Sequence, residues 1–223
     1  MRHSARSEAV SMLRGVVAAL LSEPFNAATP AGAELRRACG DVHANAEAYV
    51  RAAGFGAPLA ACFTAALSAG MSSDSFMRVR LSVAAMWQSY AVSRVVSVLA
   101  VRLALAGECS ALAGVTVASR QQVDGYISRL RPAFEASLDY AMDSADGEAF
   151  KALSTLYAAV VRDLTERGRQ LPRMSSYDTW RPLPSLALAH RLYADAGRAG
   201  ELVDENRAPN PIFMPATGRA LAR

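Results

Sequence analysis

The chain is 223 residues long, 52% apolar but only 7% aromatic, with a net charge of +4. That length holds one generous domain, or one domain with a small appendage. A core made mostly of Ala, Leu and Val disfavours a sheet sandwich, because alanine is the best helix former and is depleted in strands, and so small a charge permits nucleic-acid binding without implying it.

The first predicted helix covers about 5–21 and stops before Pro24. Arg2, Arg6 and the apolar run 15–21 imitate a signal peptide, but Glu8 and Arg14 interrupt it, so an ordinary amphipathic helix is expected. A second helix opens with Thr29 as N-cap and Pro30 at the first helical position, where proline's missing N–H costs nothing. It runs to about residue 53, before Gly54 and Gly56. A third spans 57–68 and ends at Gly70.

Ser72 or Ser73 is then expected to cap the longest element, one helix over roughly 74–105. Its apolar stripe is Phe76, Val79, Val83, Met86, Trp87, Tyr90 and Val95, at three- and four-residue steps. From Val92 to Leu105 it is apolar nearly all round, which predicts burial against several neighbours or another subunit. Arg94 and Arg102 interrupt it, so no segment reaches the run of about eighteen uninterrupted apolar residues that marks a membrane span.

Residues 107–118 read as a loop. Ser119, with Gln122 three residues later, is a capping box for a helix carrying Tyr126, Leu130, Phe134, Leu138 and Met142, with a kink expected at Pro132. A sixth helix, about 146–169, is expected to bury Phe150, Leu153, Leu156, Tyr157, Val160, Val161 and Leu164. Long helices on short connections predict an antiparallel helical bundle over 1–171. No repeat of a period suited to a solenoid is visible.

The texture changes at Leu171-Pro172. A short strand fits within 174–181, a helix spans 185–193, Asp195 or Gly197 breaks it, and a second short helix covers about 198–206. After Pro209, Pro211 and Pro215, residues 218–223 suit a closing strand. Strand, helix, helix, strand makes a compact α/β unit over 172–223, too small to be very stable alone. Leu186, Ala189, Leu192 and Leu202 are expected to fill its core, with Tyr193 adding an apolar body and a polar tip. Asp195 is placed to stop one helix and cap the next, and Asn206 to end the last in the left-handed conformation.

The run Ala189-His190-Arg191-Leu192-Tyr193-Ala194-Asp195, then Arg198, Glu201-Leu202, Asn206-Arg207 and Pro211-x-Phe213-x-Pro215, resembles the C-terminal end of the Mu-type phage DNA circularisation (N) protein family. More loosely, it is similar to LysM-like modules of small phage tail proteins of the X type. The resemblance covers roughly 150–215. It departs at Ala194, where the family has glycine, a substitution that strains the position if φ is positive there. Family members also carry a large N-terminal region ahead of their helices, whereas Met1 leads directly into helix; a fragment, a split gene or a shortened relative is the expectation. The resemblance implies a mainly α fold ending in a LysM-like module. It also implies a structural part of a contractile phage or prophage-derived tail, at the junction of baseplate and tube. Hub, tube and tape-measure proteins would be its partners in a homo-oligomeric ring, assembled in the host cytoplasm and carried in the virion tail.

Candidate sites are few. Cys39 and His43, four apart, are spaced like two metal ligands, but no second pair joins them, so a helix surface beside a buried thiol is the simpler reading. The three cysteines, Cys39, Cys62 and Cys109, include no Cys-x-x-Cys and fit a reducing compartment. His190 reads as structural, and Glu201, Asp204 and Glu205 as a solvated face. Lys151 is the one lysine among 24 basic residues, as a GC-rich genome would give. Arg162, Arg167, Arg169 and Arg173 alternate with Asp163 and Glu166, which predicts surface salt bridges over a phosphate track. No nucleophile elbow, phosphate loop or dinucleotide fingerprint occurs. The expectation is a non-enzyme with no catalytic, cofactor or metal residues and no membrane partner. The alternative is a LysM-type glycan-binding or DNA-binding protein.

Overall fold

Helix starts follow the side chains that can satisfy their first N–H groups. In the computed structural model, which describes residues 3–169, 171 and 173–221, α1 is His3–Ser22, α2 Pro30–Arg51, α3 Gly56–Ser68 and α4 Ser73–Ala84. The Thr29 hydroxyl accepts from Gly32 N–H at 3.1 Å with Pro30 in the first turn, and the Ser72 hydroxyl accepts from Ser75 N–H at 3.1 Å. Both caps are where the sequence puts them. Then follow α5 (Ala91–Ala113), α6 (Arg120–Asp143), α7 (Gly147–Gly168), β1 (Met174–Asp178), α8 (Ser185–Tyr193), α9 (Ala199–Glu205) and β2 (Thr217–Leu221). A 3-10 turn, Ala196–Arg198, precedes α9. With 71% of the chain helical, the fold is mainly α, and its only sheet among the described residues is the antiparallel pair β1–β2.

The chain divides into two compact units: Met1–Val115 with Ala133–Val160, and Thr116–Pro132 with Val161–Arg223. In the first, α1 packs on α2, α4 and α5, α2 on α3, and α5 on α1, α3 and α4. Their shared core runs from Ala9 to Ala104 and includes the fully buried Leu13, Leu20, Leu35, Leu59 and Phe76. Each such side chain contributes about 1.5–3 kcal/mol on burial.

The single long helix expected over 74–105 is two helices. α4 ends at Ala84, and α5 begins after Tyr90, whose own side chain makes no cap. The missing cap comes from α1. The Glu8 carboxylate accepts from Ser89 N–H at 2.7 Å, Tyr90 N–H at 3.2 Å and the Ser93 hydroxyl. A charge-assisted cap from a distant helix therefore breaks an apolar pattern that reads continuously. The break also overturns part of the expected stripe: Phe76, Val79 and Val83 are buried, but Trp87 is 84% and Val95 50% exposed.

The loop expected at 107–118 is shorter, because α5 continues to Ala113. Gly107 is helical here, where a Cβ would come 2.6 Å from the Phe76 ring. It marks close approach of two helices, not a turn. By length and hydropathy α5 could cross a membrane, yet it is half buried inside the protein. It also carries Glu108, wholly buried and paired with Arg80 at 3.2 Å. These are the properties of a central helix in a protein core.

In α6, Ser119 accepts from Gln122 N–H at 3.3 Å, while Gln122 reaches the N–H of Ala118 at 3.0 Å, one residue earlier than a regular capping box. Leu130 and Phe134 are buried; Met142, expected on the same stripe, is 65% exposed. Phe134 packs on Tyr157 of α7, ring centroids 4.8 Å apart. Leu153 and Leu164 are buried as expected, but Phe150 is partly exposed at the start of α7, one turn before the packed residues.

Candidate docking module

Strand, helix, helix, strand occur in the order the sequence implies, with Met174 paired to Leu221 and Asp178 to Thr217. The core between them is Tyr177, Leu188, Ala189, Tyr193, Ala199, Leu202, Met214 and Ala220. Ala189 and Leu202 are where they were expected. Leu186 is 61% exposed and Leu192 partly exposed, and Leu188 takes the central place. The reason is the start of α8: Ser185 N–H donates to Pro211 O at 2.7 Å, which fixes its rotation with Ser185, Leu188 and Ala189 inward.

So small a core is supplemented by side chains that bond to backbone. The Tyr193 hydroxyl accepts from Leu221 N–H at 3.0 Å. Burial pushes the Tyr193 phenol above its ordinary range, and the Arg198 guanidinium lies over its ring, 3.8 Å from the centroid. Asn206 holds β2 along the same edge. Its carbonyl oxygen accepts from Arg219 N–H at 2.7 Å, and its amide donates to Arg219 O and to Leu202 O, both at 2.8 Å. Asn206 itself is not left-handed; Arg207, at φ 47°, takes that conformation. Asp195 does cap as expected, accepting from Gly197 N–H at 2.9 Å.

Ala194 ends α8 at φ 57° and ψ 23°. This is the left-handed region, where an alanine is strained by its Cβ. Gly218, opposite Tyr177, has a different task. A Cβ there would lie 2.4 Å from the Tyr177 hydroxyl oxygen and from the Asn206 side-chain oxygen. The glycine lets the tyrosine ring cross the partner strand.

Within the same unit, the start of α6 meets β1. The Gln121 carboxamide accepts from Met174 N–H at 2.6 Å and donates to Met174 O at 2.7 Å, as a residue of a third strand would. A groove of about 650 Å³ opens beside this contact, lined by Ser119, Gln121, Gln122, Ser175, Ser176 and Arg219 among others. It gathers hydroxyls, amides, the Arg219 guanidinium and the Glu205 carboxylate.

The most exposed apolar side chains of the module lie toward one end of it. Thr179 N–H donates to Ala216 O at 2.7 Å, and Met214 N–H to Leu183 O at 3.0 Å. These bonds bring Trp180 (81% exposed) and Leu186 to the same end as Ile212 and Phe213 (67% exposed). Arg181 lies over the Trp180 ring, 4.5 Å from its centroid.

Cys39 is buried in the core while His43 is exposed, so the two do not share a site. Among the described residues no group of three or more His, Cys, Asp and Glu is arranged to hold a metal. His190 is exposed on α8. Glu201 pairs with Arg198 at 2.7 Å, and Asp204 is exposed. Arg162 pairs with Glu166 at 3.0 Å and Arg167 with Asp163 at 2.5 Å, the intrahelical bridges the mixed signs imply. The signals missed in the sequence were Glu8 and Gln121, polar residues whose partners lie elsewhere in the chain, and the bonds of Asn206 to Arg219. No protein-family model and no curated protein matches the chain.

Proposed function

We propose that the chain is a non-enzymatic structural component of a contractile phage tail or a prophage-derived tail particle. Its helices form an antiparallel bundle and its C-terminal βααβ unit is a LysM-like docking module. The observation that carries this reading is Ala194. The resembled motif has glycine at that position, and the chain there turns through the left-handed region that glycine favours. The order β1–α8–α9–β2 supports it further. The end bearing Trp180, Leu186, Ile212 and Phe213 supplies apolar surface for contact with hub, tube or tape-measure proteins. In a ring of identical subunits at the baseplate–tube junction, each copy would present the same heterologous surfaces. The site in this reading is the virion tail, reached after assembly in the host cytoplasm.

Co-expression of the tagged chain with the tail proteins encoded beside it, followed by particle purification and electron microscopy, tests the proposal. The chain is expected in tail particles at a fixed ratio to baseplate proteins. A chain that stays strictly monomeric and joins no particle would sink it. A glycan-binding rival draws on the exposed rings of Trp180 and Phe213. It requires retention on purified cell-wall glycan that is lost in Trp180→Ala.

A further inference from the structure

Charge is divided unevenly between the two units. Thr116–Pro132 with Val161–Arg223 carries 13 basic and 8 acidic side chains, a net +5, whereas Met1–Val115 with Ala133–Val160 carries 11 and 12, a net −1. Within 133–160 alone, five acids stand against Lys151. Glu135, Asp139 and Asp143 are exposed and follow one another at four-residue steps, so they share one face of α6. Met142, 65% exposed, lies among them. None of the three carboxylates has a cation partner among the described residues.

The start of α6 gathers the opposite charge. Arg120 donates to Gly168 O at 3.2 Å and to Arg169 O at 2.6 Å, which brings Arg169 beside it. Gln121 holds Met174, whose chain neighbour is Arg173. Arg219 lines the groove with Gln121 and Ser176, and Glu205 is the one acid among the lining residues. Arg169, Arg173 and Arg219 are exposed, and no carboxylate pairs with them among the described residues. We propose that these arginines dock a second copy of this chain by its Glu135–Asp139–Asp143 face. This rests on the ring invoked above for tail assembly and names its two contact faces.

Two different faces that complement each other make a heterologous contact, which repeats from copy to copy until a ring closes. Both faces are uncommitted within their own chain, so association breaks no existing ion pair. Guanidinium and carboxylate then meet in the two-pronged geometry that arginine favours. Exposed ion pairs contribute little singly, and Met142 adds apolar contact within the acidic face. Duplex DNA would occupy the arginines but leave the acidic face without a partner.

Sedimentation velocity of the full chain reads the contact. Self-association is expected at about 50 mM salt and is weakened about tenfold or more at about 500 mM. Glu135→Arg with Asp139→Arg and Asp143→Arg is expected to be monomeric at the lower salt, as is Arg169→Glu with Arg173→Glu and Arg219→Glu. An equimolar mixture of the two triple variants restores association, because each then meets its complement. The milder Asp139→Asn with Asp143→Asn, which removes charge without reversing it, is expected to weaken association about tenfold, whatever the folding of the reversed chains. A wild-type chain that stays monomeric at the lower salt overturns the pairing of faces, even if it retains duplex DNA. So does association that survives either triple change, or an affinity unchanged by the two asparagines. Tail particles that take up both reversed variants also overturn it and leave the tail assignment standing. Salt-sensitive oligomers of a chain that enters no particle do the reverse.

Discussion

The helices α1–α5 and the C-terminal βααβ module solve the same problem with different means. In α1–α5 the largest contribution is apolar: leucine, valine, alanine and phenylalanine fill one core, and polar contacts such as the Glu8 cap and the Arg78–Glu23 and Arg80–Glu108 pairs join the helices around it. The module has too few apolar residues for that, so Tyr193, Asn206 and Gln121 bond directly to strand backbone. Apolar volume is set by which residue types occur at helical spacing and is readable along the chain. A side chain clipped to a distant strand leaves no local pattern.

Deleting volume from the first region should have the largest effect. Phe76→Ala removes a fully buried ring beside Gly107 and is expected to cost about 3–5 kcal/mol in urea unfolding, with the amides of β1 and β2 retaining their exchange protection. Equal loss of protection in the module would break the distinction. Adding volume to the module comes next. Gly218→Ala forces the Tyr177 ring and Asn206 aside and is expected to cost about 1–3 kcal/mol, with β2 amides exchanging faster while α1–α5 keep theirs.

The Glu8 cap sharpens the comparison by its pH dependence. Hydrogen bonds from the Ser93 hydroxyl, then from the Ser89 and Tyr90 N–H groups, outweigh burial and hold its carboxyl below the usual glutamate range. A carboxyl depressed in the folded state contributes stability that is present above its unfolded pKa and lost as pH falls through its folded value. Glu8→Gln should flatten the acidic limb of the stability curve and start α5 later in exchange experiments; an unchanged acidic limb would discount the cap. Ala194→Gly is the smallest change and has the opposite sign. Relief of left-handed strain, about 1–2 kcal/mol, is partly offset by the added freedom of glycine in the unfolded chain, leaving a gain of up to about 1 kcal/mol in thermal unfolding. A loss of stability there would argue against strain at this turn.

Much of the fold was legible because caps and breakers act locally. Thr29 with Pro30, Ser72 and Ser119 mark real helix starts, and α8 has the bounds that its periodicity predicts. The break between α4 and α5 was illegible because its cause, Glu8, lies some eighty residues upstream. Gly107 was misread because glycine signals both turns and close contacts, and only the position of Phe76 distinguishes them. In the module the order of elements and Asp195 were readable. The face of α8 was not: Leu186 and Leu188 are equally apolar, and the Ser185–Pro211 bond chooses between them. Asn206 was recognised as important for the wrong reason, since it bonds to β2 while Arg207 takes the left-handed turn.

Because both Arg219 N–H and Arg219 O are engaged by Asn206, and Leu221 N–H by Tyr193, the side of β2 that faces away from β1 has its backbone occupied. An open strand close to the end of a chain is a template for stacking against its like, and fibres begin at such templates. Here two side chains spend their hydrogen bonds as a terminator. On the other border of the sheet, Gln121 occupies Met174 and the charged Asp178 closes the strand. A ribbon of only two strands is thereby left with little free backbone on which another strand could pair.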